Sequence, residues 1–527
     1  MKAIVGDIMK KRIQRKICFA CAMSIVLLSG CTSNDVNVKS IELNDFIESV
    51  NTKNENALKQ TATYDEADYL IDLDCEEFTD EEINQLKTQN YNNVTKDEAK
   101  ADVDMLMKVL RNSYAGYTYF GGDEAFEKAK NEMYDGIDSY SKNKINPQAF
   151  SEIIREPLSF VLDSHFGVGG EQCFDEALTY YESSKMEFRE SDKGYVTVID
   201  EENWFLPEEY EKYLKVTIAE SGELVYGMFA VATTEGKEAL PTNVEFQNIN
   251  SDKKSIELNW IYSEVGGDQA EKSEFSVENS VAISSLSDMA PSEETYNDFN
   301  EFLNNSKKHA EYDYSVLDLR DNGGGSAEID LLWLYGYTGE YVDINKTQYF
   351  FNSKMYIPFY EDYLAVVEDT NSPFIYFDIA SNNSDLKLKL NNYYDTSSYS
   401  GINKLNGVFD NKIDKMITNP NTLFVLQSNR NYSSGELFML MLDNVENAVS
   451  VGTNTNGCIH GGNTFDIYLP NSGVLVRYSR SIFTGFEKDF EVYGLEPDIY
   501  IGDDDAQDAV LRCIDYYTKQ DETVTNT

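Results

Sequence analysis

The segment that most constrains the fold is "YSVLDLRDNGGGSAEIDLLWLYG", which covers residues 314–336. An apolar run ends at Asp318, three glycines follow at 323–325, and a second apolar run begins after Ser326. A buried strand, a tight turn and a helix in this order predict a layered α/β core. Glycines let backbone N–H groups approach a ligand, and a helix N-terminus favours negative charge there. Because the loop lacks the Gly-Lys-Ser/Thr ending of a phosphate-binding loop, we interpret it as an oxyanion hole, with a purely structural turn as the alternative.

A second segment, "NYSSGELFMLMLDN" at residues 431–444, follows the apolar run "TLFVLQS". Ser433 is followed three residues later by Glu436 and then by apolar residues, a pattern that predicts a capping box at the start of a helix. The same position at a helix N-terminus supplies N–H donors and a favourable dipole for an oxyanion. The segment therefore predicts either a helix cap or a serine that takes part in chemistry.

The spacing of apolar residues changes along the chain, and this change predicts an α/β (α+β) fold. Apolar residues recur with helical spacing after Thr95, whereas the region that follows has short, punctuated runs typical of strands. From residue 275 onwards strands and helices alternate. We predict a leader at 1–30, an acidic tether at 31–95, a helical N-terminal subdomain at 96–170, a β-rich middle module at 171–274, an α/β core at 275–505, and a C-terminal helix and tail at 506–527.

The N-terminus carries a targeting signal. A basic stretch precedes 12 apolar residues, "ICFACAMSIVLL", which is too short for a membrane span of about 20 residues. The run ends in "LSGC" at 28–31, which resembles a bacterial lipobox and implies cleavage before Cys31 and a lipid on its sulfur. We therefore expect a lipid-anchored protein on the extracytoplasmic face of the cell membrane, with an ordinary signal peptide as the alternative.

Composition excludes several classes of function. The formal net charge of -48 would repel nucleic acid, so we expect no nucleic-acid partner. The chain has three histidines, no HExxH motif and no CxxC pair after the leader, so we expect no metal and no cofactor. After the predicted leader, four cysteines besides Cys31 leave room for one or two disulfides whose pairing the sequence does not predict: Cys75, Cys173, Cys458 and Cys513.

Four segments in order resemble the landmarks of the tail-specific (C-terminal processing) serine peptidases and their tricorn-core relatives. They are "DLRDNGGG" at 318–325, "SSGE" at 433–436, "VGTNTNG" at 451–457 and "EVYGLEPD" at 491–498. The resemblance implies a core of the ClpP/crotonase-like type and a membrane-anchored serine endopeptidase with polypeptide substrates. The family often carries a PDZ module for substrate tails, and its place would be 171–274. That segment has no clear Gly-Leu-Gly loop, so a diverged PDZ-like domain and an unrelated β module both stay open.

The resemblance also assigns the site residues. It implies Ser433 as nucleophile, His165 as general base, and Ser164 and Glu491 as the rest of a Ser-His-Ser-Glu tetrad. A serine hydroxyl needs such a base and an orienting group near pH 7. The oxyanion hole would use the N–H group of Ser434 together with that of Gly323 or Gly324.

One departure from the family pattern favours the histidine-using, tricorn-like branch. Lysine-type members place their base directly after the Thr-x-Gly element, where this chain has Cys458. Three alternatives remain open from the sequence: His460 as the base, Ser434 as the nucleophile, or a catalytically inactive peptide- or ligand-binding lipoprotein on the same fold.

Overall fold

The computed structural model describes residues 36–59, 76, 78–265, 275–342, 344, 347–352, 373–393, 404–410, 413, 415–485 and 490–525. Val38–Thr527 form one compact unit, and the predicted leader, Cys31 and Cys75 lie outside the described residues. The α-helices are Leu43–Lys59, Asp80–Leu86, Lys96–Ser113, Gly122–Ser139, Pro147–Arg155, Thr234–Lys237, Tyr296–His309, Glu328–Thr338, Asp378–Ser381, Ser384–Tyr393, Ser434–Leu442, Phe490–Tyr493 and Ala506–Thr525. Short 3-10 helices cover Glu156–Leu158, Glu208–Tyr213 and Pro373–Tyr376. None of the helices in the described ranges combines the length and apolar character needed to cross a membrane.

A ten-stranded mixed sheet organises the molecule. Its central strands, from Val281–Ser285 through Ile499–Tyr500 to Leu214–Ile218, are parallel neighbours, and the outer strands are antiparallel. In spatial order the strands are Trp260–Tyr262, Leu178–Glu182, Leu224–Ala232, Leu214–Ile218, Ile499–Tyr500, Ala448–Gly452, Thr422–Gln427, Tyr314–Asp318, Val281–Ser285 and Phe275–Glu278. The buried strand predicted to end at Asp318 and the apolar run "TLFVLQS" both form central strands, Tyr314–Asp318 and Thr422–Gln427.

Helices cover both faces of this sheet because its central strands are apolar on both sides. Along Tyr314–Asp318, Val316 and Leu317 point into two different clusters of buried side chains. One cluster includes the helices Tyr296–His309, Glu328–Thr338 and Ser434–Leu442. The other includes Leu43–Lys59 and Ala506–Thr525. The result is a three-layer α/β core, as the sequence predicts.

Three further sheets are antiparallel. A six-stranded sheet has the order Lys404–Asp410, Thr347–Asn352, Leu475–Thr484, Gly167–Val168 and Glu171–Gln172, with Gly461–Tyr468 also paired to Leu475–Thr484. A five-stranded sheet has the order Lys253–Glu257, Asn243–Asn248, Glu202–Phe205, Gly194–Ile199 and Arg189–Ser191. A small sheet pairs Val94–Thr95 with Lys144–Ile145.

The helical region packs as its sequence pattern predicts. Thr95 caps the helix Lys96–Ser113 by accepting from the Glu98 N–H, while the Glu98 carboxylate accepts from the Thr95 N–H, so this capping box is confirmed. Buried residues of this helix and its neighbours share one cluster with strands Gly461–Tyr468 and Leu475–Thr484. The helices therefore rest on the six-stranded sheet.

Two predicted boundaries differ from the structure. The segment 31–95, expected to be a tether, contains the helix Leu43–Lys59, which buries Leu43, Ile47 and Val50 in the core. Their helical spacing is masked in the sequence by the polar residues between them. The boundary between middle module and core is also crossed by the ten-stranded sheet, because the strand Leu214–Ile218 pairs in parallel with Ile499–Tyr500. Within this module, a separate five-stranded sheet is formed by Arg189–Ser191, Gly194–Ile199, Glu202–Phe205, Asn243–Asn248 and Lys253–Glu257.

The sheet topology brings three loops together. The strands Tyr314–Asp318, Thr422–Gln427 and Ala448–Gly452 are adjacent and parallel, so their carboxyl ends meet at one edge. Ligands of open α/β sheets bind outside the carboxyl ends of such strands. The loops that follow contain the glycine run, Ser433 and Cys458, so the fold gathers three of the four segments that the sequence singles out.

Candidate active site

Ser433 lies in a sharp turn between a strand and a helix. Its backbone has φ 50° and ψ -120°, a left-handed conformation that is rare for a residue with a side chain. The structure shows no capping bond from its side chain, so the predicted capping role of the Ser433 hydroxyl is wrong. A positive φ turns the side chain away from the first-turn N–H groups. Strained conformations of this kind cluster at functional sites because the surrounding structure must hold them.

Ser434 is the less suitable nucleophile. Its side chain is buried, and its hydroxyl donates to the Gly325 carbonyl oxygen at 2.7 Å. Ser433 is partly exposed, and its hydroxyl makes no hydrogen bond to any residue in the described part of the chain. Of the two serines, Ser433 is therefore the one whose oxygen is available for chemistry.

Glu436 holds the third loop against the helix start. Its buried carboxylate accepts hydrogen bonds from the Gly457 N–H at 2.8 Å and the Cys458 N–H at 2.6 Å. Burial raises the pKa of Glu436 to about 7, against the opposing effect of these hydrogen bonds. The residue that sequence analysis regards as half of a capping box therefore joins residues 433 and 458.

The glycine loop approaches Ser433 closely, but it does not offer the N–H groups that the sequence predicts. The Gly323 N–H donates to the Ser287 carbonyl at 3.2 Å, and the Gly324 N–H donates to the Asn322 side-chain oxygen at 2.8 Å. A Cβ atom at Gly324 would lie 2.7 Å from the Tyr432 carbonyl oxygen, so only glycine fits there. Gly323 and Gly324, which the sequence predicts as oxyanion-hole donors, instead support the turn at Ser433 in this structure.

The Ser434 N–H is the remaining predicted oxyanion donor. It stands at the first position of the helix Ser434–Leu442, where N–H groups have no partner within the helix. Within the described chain it makes no hydrogen bond. A developing negative charge at this point would gain a backbone donor and the positive end of the helix dipole.

His165 reaches the same edge from the helical region, but its ring faces a cysteine. The Cys458 sulfur lies 3.2 Å from Nδ1 and 3.5 Å from Nε2 of the ring. Among the described residues, no hydrogen bond joins the ring to the Ser433 hydroxyl. Burial lowers the pKa of His165, and the nearby Asp163 carboxylate opposes this effect in part. The imidazole is therefore neutral at neutral pH, the form that a general base needs.

Glu491 and Ser164 act on the backbone rather than on the ring. The Glu491 carboxylate accepts from the Ser164 N–H at 2.8 Å, from the Ile459 N–H at 2.7 Å, and from the His460 N–H. The Ser164 hydroxyl donates to the Gly457 carbonyl at 2.7 Å. A side-chain relay from Glu491 through Ser164 to His165 is therefore not formed in this structure. Instead, these two residues tie the loop of His165 to the loop of Cys458.

Asp163 is a site residue that sequence analysis missed. Its buried carboxylate accepts from the His165 N–H at 2.9 Å, the Tyr114 hydroxyl at 2.9 Å and the Ser479 hydroxyl at 3.2 Å. Burial raises the pKa of Asp163, and the electrostatic interaction with His165 opposes the rise. The signal was present in "LDSHF", where an acid stands two residues before the predicted base.

The other two histidines are packed as core residues. The ring of His460 is buried and contacts the rings of Tyr119 and Phe490, which does not fit the alternative in which it is the base. His309 lies in the core with its Nε2 2.7 Å from the Ser284 hydroxyl, and burial lowers its pKa to about 4.

Metal-binding groups and disulfides are both absent from the described residues. The described residues contain no group of three or more histidine, cysteine or acidic side chains placed to hold a metal ion. Cys173, Cys458 and Cys513 are free thiols, all buried. The three described cysteines are therefore not joined to one another.

Comparison with known proteins gives one match to a family model and several matches to solved structures. Residues 280–501 match the sequence model of Peptidase family S41. Mature CPAF complexed with lactacystin superimposes with a TM-score of 0.42 and 14% identity over 82% of this chain and 98% of that chain. A putative peptidase from Parabacteroides merdae superimposes with a TM-score of 0.35 and 14% identity, over 80% of this chain and 96% of that chain. The photosystem II D1 C-terminal processing protease superimposes with a TM-score of 0.28 and 12% identity, over 76% of this chain and 92% of that chain. No curated protein sequence matches the chain.

The matched segment includes the glycine loop, Ser433 and Glu491, and it defines a serine-type peptidase. The chain therefore contains a segment similar to Peptidase family S41, the tail-specific peptidases, and a serine-type peptidase of this kind acts on polypeptides. This assignment rests on the sequence match, which begins after His165 and therefore leaves the base to be argued from geometry.

Proposed function

We propose that this peptidase is an endopeptidase of the histidine-using branch, with Ser433 as nucleophile and His165 as general base. The conformation of Ser433 carries the proposal. A serine held at φ 50° between strand and helix, with its hydroxyl bonded to none of the described residues, stands beside the Ser434 N–H. A cap or a packing role would not need the strained backbone.

The chemistry follows from these groups. Neutral His165 accepts the proton of the Ser433 hydroxyl while the oxygen attacks the peptide carbonyl carbon, and the Ser434 N–H stabilises the negative oxygen that forms. His165 then gives the proton to the leaving amine as the C–N bond breaks, which leaves an ester on Ser433. Water, deprotonated by the same imidazole, hydrolyses that ester and restores the serine. This mechanism requires the His165 ring to rotate when substrate binds, so that one of its nitrogens reaches the Ser433 hydroxyl. Catalytic hydrogen bonds often tighten in this way only in the substrate complex.

The proposed location is the extracytoplasmic face of the cell membrane, with Cys31 as the lipidated residue. It is supported by the basic stretch, the short apolar run and "LSGC" at 28–31. We expect a Cys31→Ala variant of the full chain to leave the detergent phase of a detergent–water partition and enter the aqueous phase. A variant that partitions as the parent does would contradict the lipid anchor.

Cleavage of an internally quenched peptide with both ends blocked tests the proposed activity. We expect the parent to cleave it between internal residues, Ser433→Ala to lose turnover, and Ser434→Ala to keep most of it. Ser434→Ala is the matched control because it removes a neighbouring hydroxyl that bonds to Gly325. Binding of the peptide without turnover dependent on Ser433 would favour the alternative of an inactive binding protein.

A further inference from the structure

The Cys458 thiol contacts the ring of the proposed base and lies near the backbone of the proposed nucleophile. Its sulfur is close to both ring nitrogens of His165, and the two distances of 3.2 and 3.5 Å differ by 0.3 Å. The Ser433 N–H also faces this sulfur. Because the sulfur is nearly equidistant from both nitrogens, it forms a well-directed hydrogen bond with neither of them. A small rotation of the ring can therefore leave one nitrogen on sulfur and direct the other to Ser433.

The position of this thiol is fixed by two buried carboxylates. Glu436 accepts hydrogen bonds from the Gly457 and Cys458 N–H groups, and Glu491 accepts from the Ile459 and His460 N–H groups. Four consecutive N–H groups are thus held from two sides. A Cβ atom at Gly457, whose φ is +87°, would lie 2.4 Å from the Glu491 carbonyl oxygen. The hydrogen-bonded backbone of residues 457–460 therefore fixes the position of the Cys458 sulfur.

We propose that Cys458 is a positioning residue for His165, holding one ring nitrogen so that the other can receive the Ser433 proton. This inference rests on the proposed function. Burial and the neighbouring Glu491, Glu436 and Asp163 raise the pKa of Cys458 well above its ordinary value, so the group is a neutral thiol. A thiol is a weak donor and a weak acceptor. It can orient the ring without adding a charge that would fix the protonation state of the imidazole.

The surroundings of the ring determine how loss of the thiol should appear. The charged groups that face His165 are Asp163, which raises its pKa, and Arg477, which lowers it, while burial is the largest effect and lowers it. Replacing the thiol by the smaller methyl group of alanine opens space for water beside the ring. Burial then weakens and the pKa of His165 moves up towards its ordinary value of about 6.5.

The experiment compares Cys458→Ala, Cys458→Ser and the parent in two measurements. We expect kcat of Cys458→Ala to fall about 10- to 100-fold with KM little changed, because misplacement of the base costs rate and not binding. The acid limb of its kcat/KM profile should move to higher pH, and Cys458→Ser should recover part of the rate. NMR of isotope-labelled histidine should show an upward shift of the pKa for His165 alone. The three histidine signals of the chain can be assigned one by one. This second measurement needs no turnover.

Two controls separate the outcomes. Cys513→Ala removes another buried free thiol, in the core beside the C-terminal helix, and should change neither measurement. An unchanged rate and an unchanged His165 titration in Cys458→Ala would overturn the inference while leaving the proposed function intact. Loss of activity in Cys458→Ala but not in Ser433→Ala would overturn both, because the thiol would then be the nucleophile.

Discussion

Ser433 and His165 reach the same edge of the sheet by different means. Ser433 is placed by backbone geometry, at a strained turn against the glycine loop. His165 is placed by two buried carboxyl groups. Asp163, two residues away, accepts from the His165 N–H, and Glu491, 327 residues from Ser164, accepts from the Ser164 N–H. The turn at Ser433 is set by its backbone, whereas the placement of His165 depends on buried carboxyl groups, and the buried Glu436 carboxyl group links the two sides.

Substitution of the base should have the largest effect. We expect His165→Ala to lower kcat by about 10⁴-fold or more, because it removes proton transfer to and from the reacting groups. His460→Ala is the matched control, since that ring packs against Tyr119 and Phe490. Steady-state rates normalised to the folded fraction decide the comparison. Equal losses in both variants would mean that the base side is wrongly assigned.

The buried Glu436 makes stability depend on pH. Its pKa is about 7 in the folded chain, above its ordinary value of 4.5, so between these pH values the folded state binds more protons than the unfolded state. The unfolding free energy should then fall as pH rises from 4.5 to 7, by on the order of 3 kcal/mol from this group. Glu436→Gln should flatten that slope in denaturant melts. Glu48→Gln, at an exposed position, should leave the slope as it is.

Glu491 tests whether the base side is held through its backbone. Glu491→Gln replaces an acceptor of three N–H groups by an amide whose NH₂ faces donors, at a cost of roughly 1–3 kcal/mol in unfolding free energy. We expect a lower kcat as well, because the loops of His165 and Cys458 both loosen. A variant with parental stability and a parental rate would show that these bonds do not matter.

The smallest effect concerns the strained turn. Ser433→Gly should raise the unfolding free energy by about 1 kcal/mol, because glycine accepts a positive φ without strain. Ser433→Ala should leave stability within about 0.5 kcal/mol, since no capping bond is lost. Thermal melts of the two variants provide the measurement. A loss of about 1 kcal/mol in Ser433→Ala would restore the capping role that the sequence predicts.

The sequence predicts local features well and long-range partners poorly. Apolar periodicity indicates the strands around Asp318 and Gln427 and the helix after Ser433, because each signal lies within a short window. The contact between Cys458 and His165 joins residues 293 positions apart, and no local pattern encodes it. The sequence could have predicted in part that the glycine N–H groups are already hydrogen-bonded. The Asn322 side chain accepts from the Gly324 N–H, as asparagine commonly does two residues on in turns.

The central claim is that Ser433 is the nucleophile, and mapping a fluorophosphonate adduct tests it most directly. Trypsin should release Asn431–Arg477 as one peptide that contains Ser433, Ser434 and Cys458, because no lysine or arginine lies between its ends. Fragmentation then assigns the added mass to one of the three residues. We predict an adduct on Ser433 that is absent from Ser433→Ala and much reduced in His165→Ala. An adduct on Ser434 or Cys458, or equal labelling of the parent and Ser433→Ala, would contradict the account.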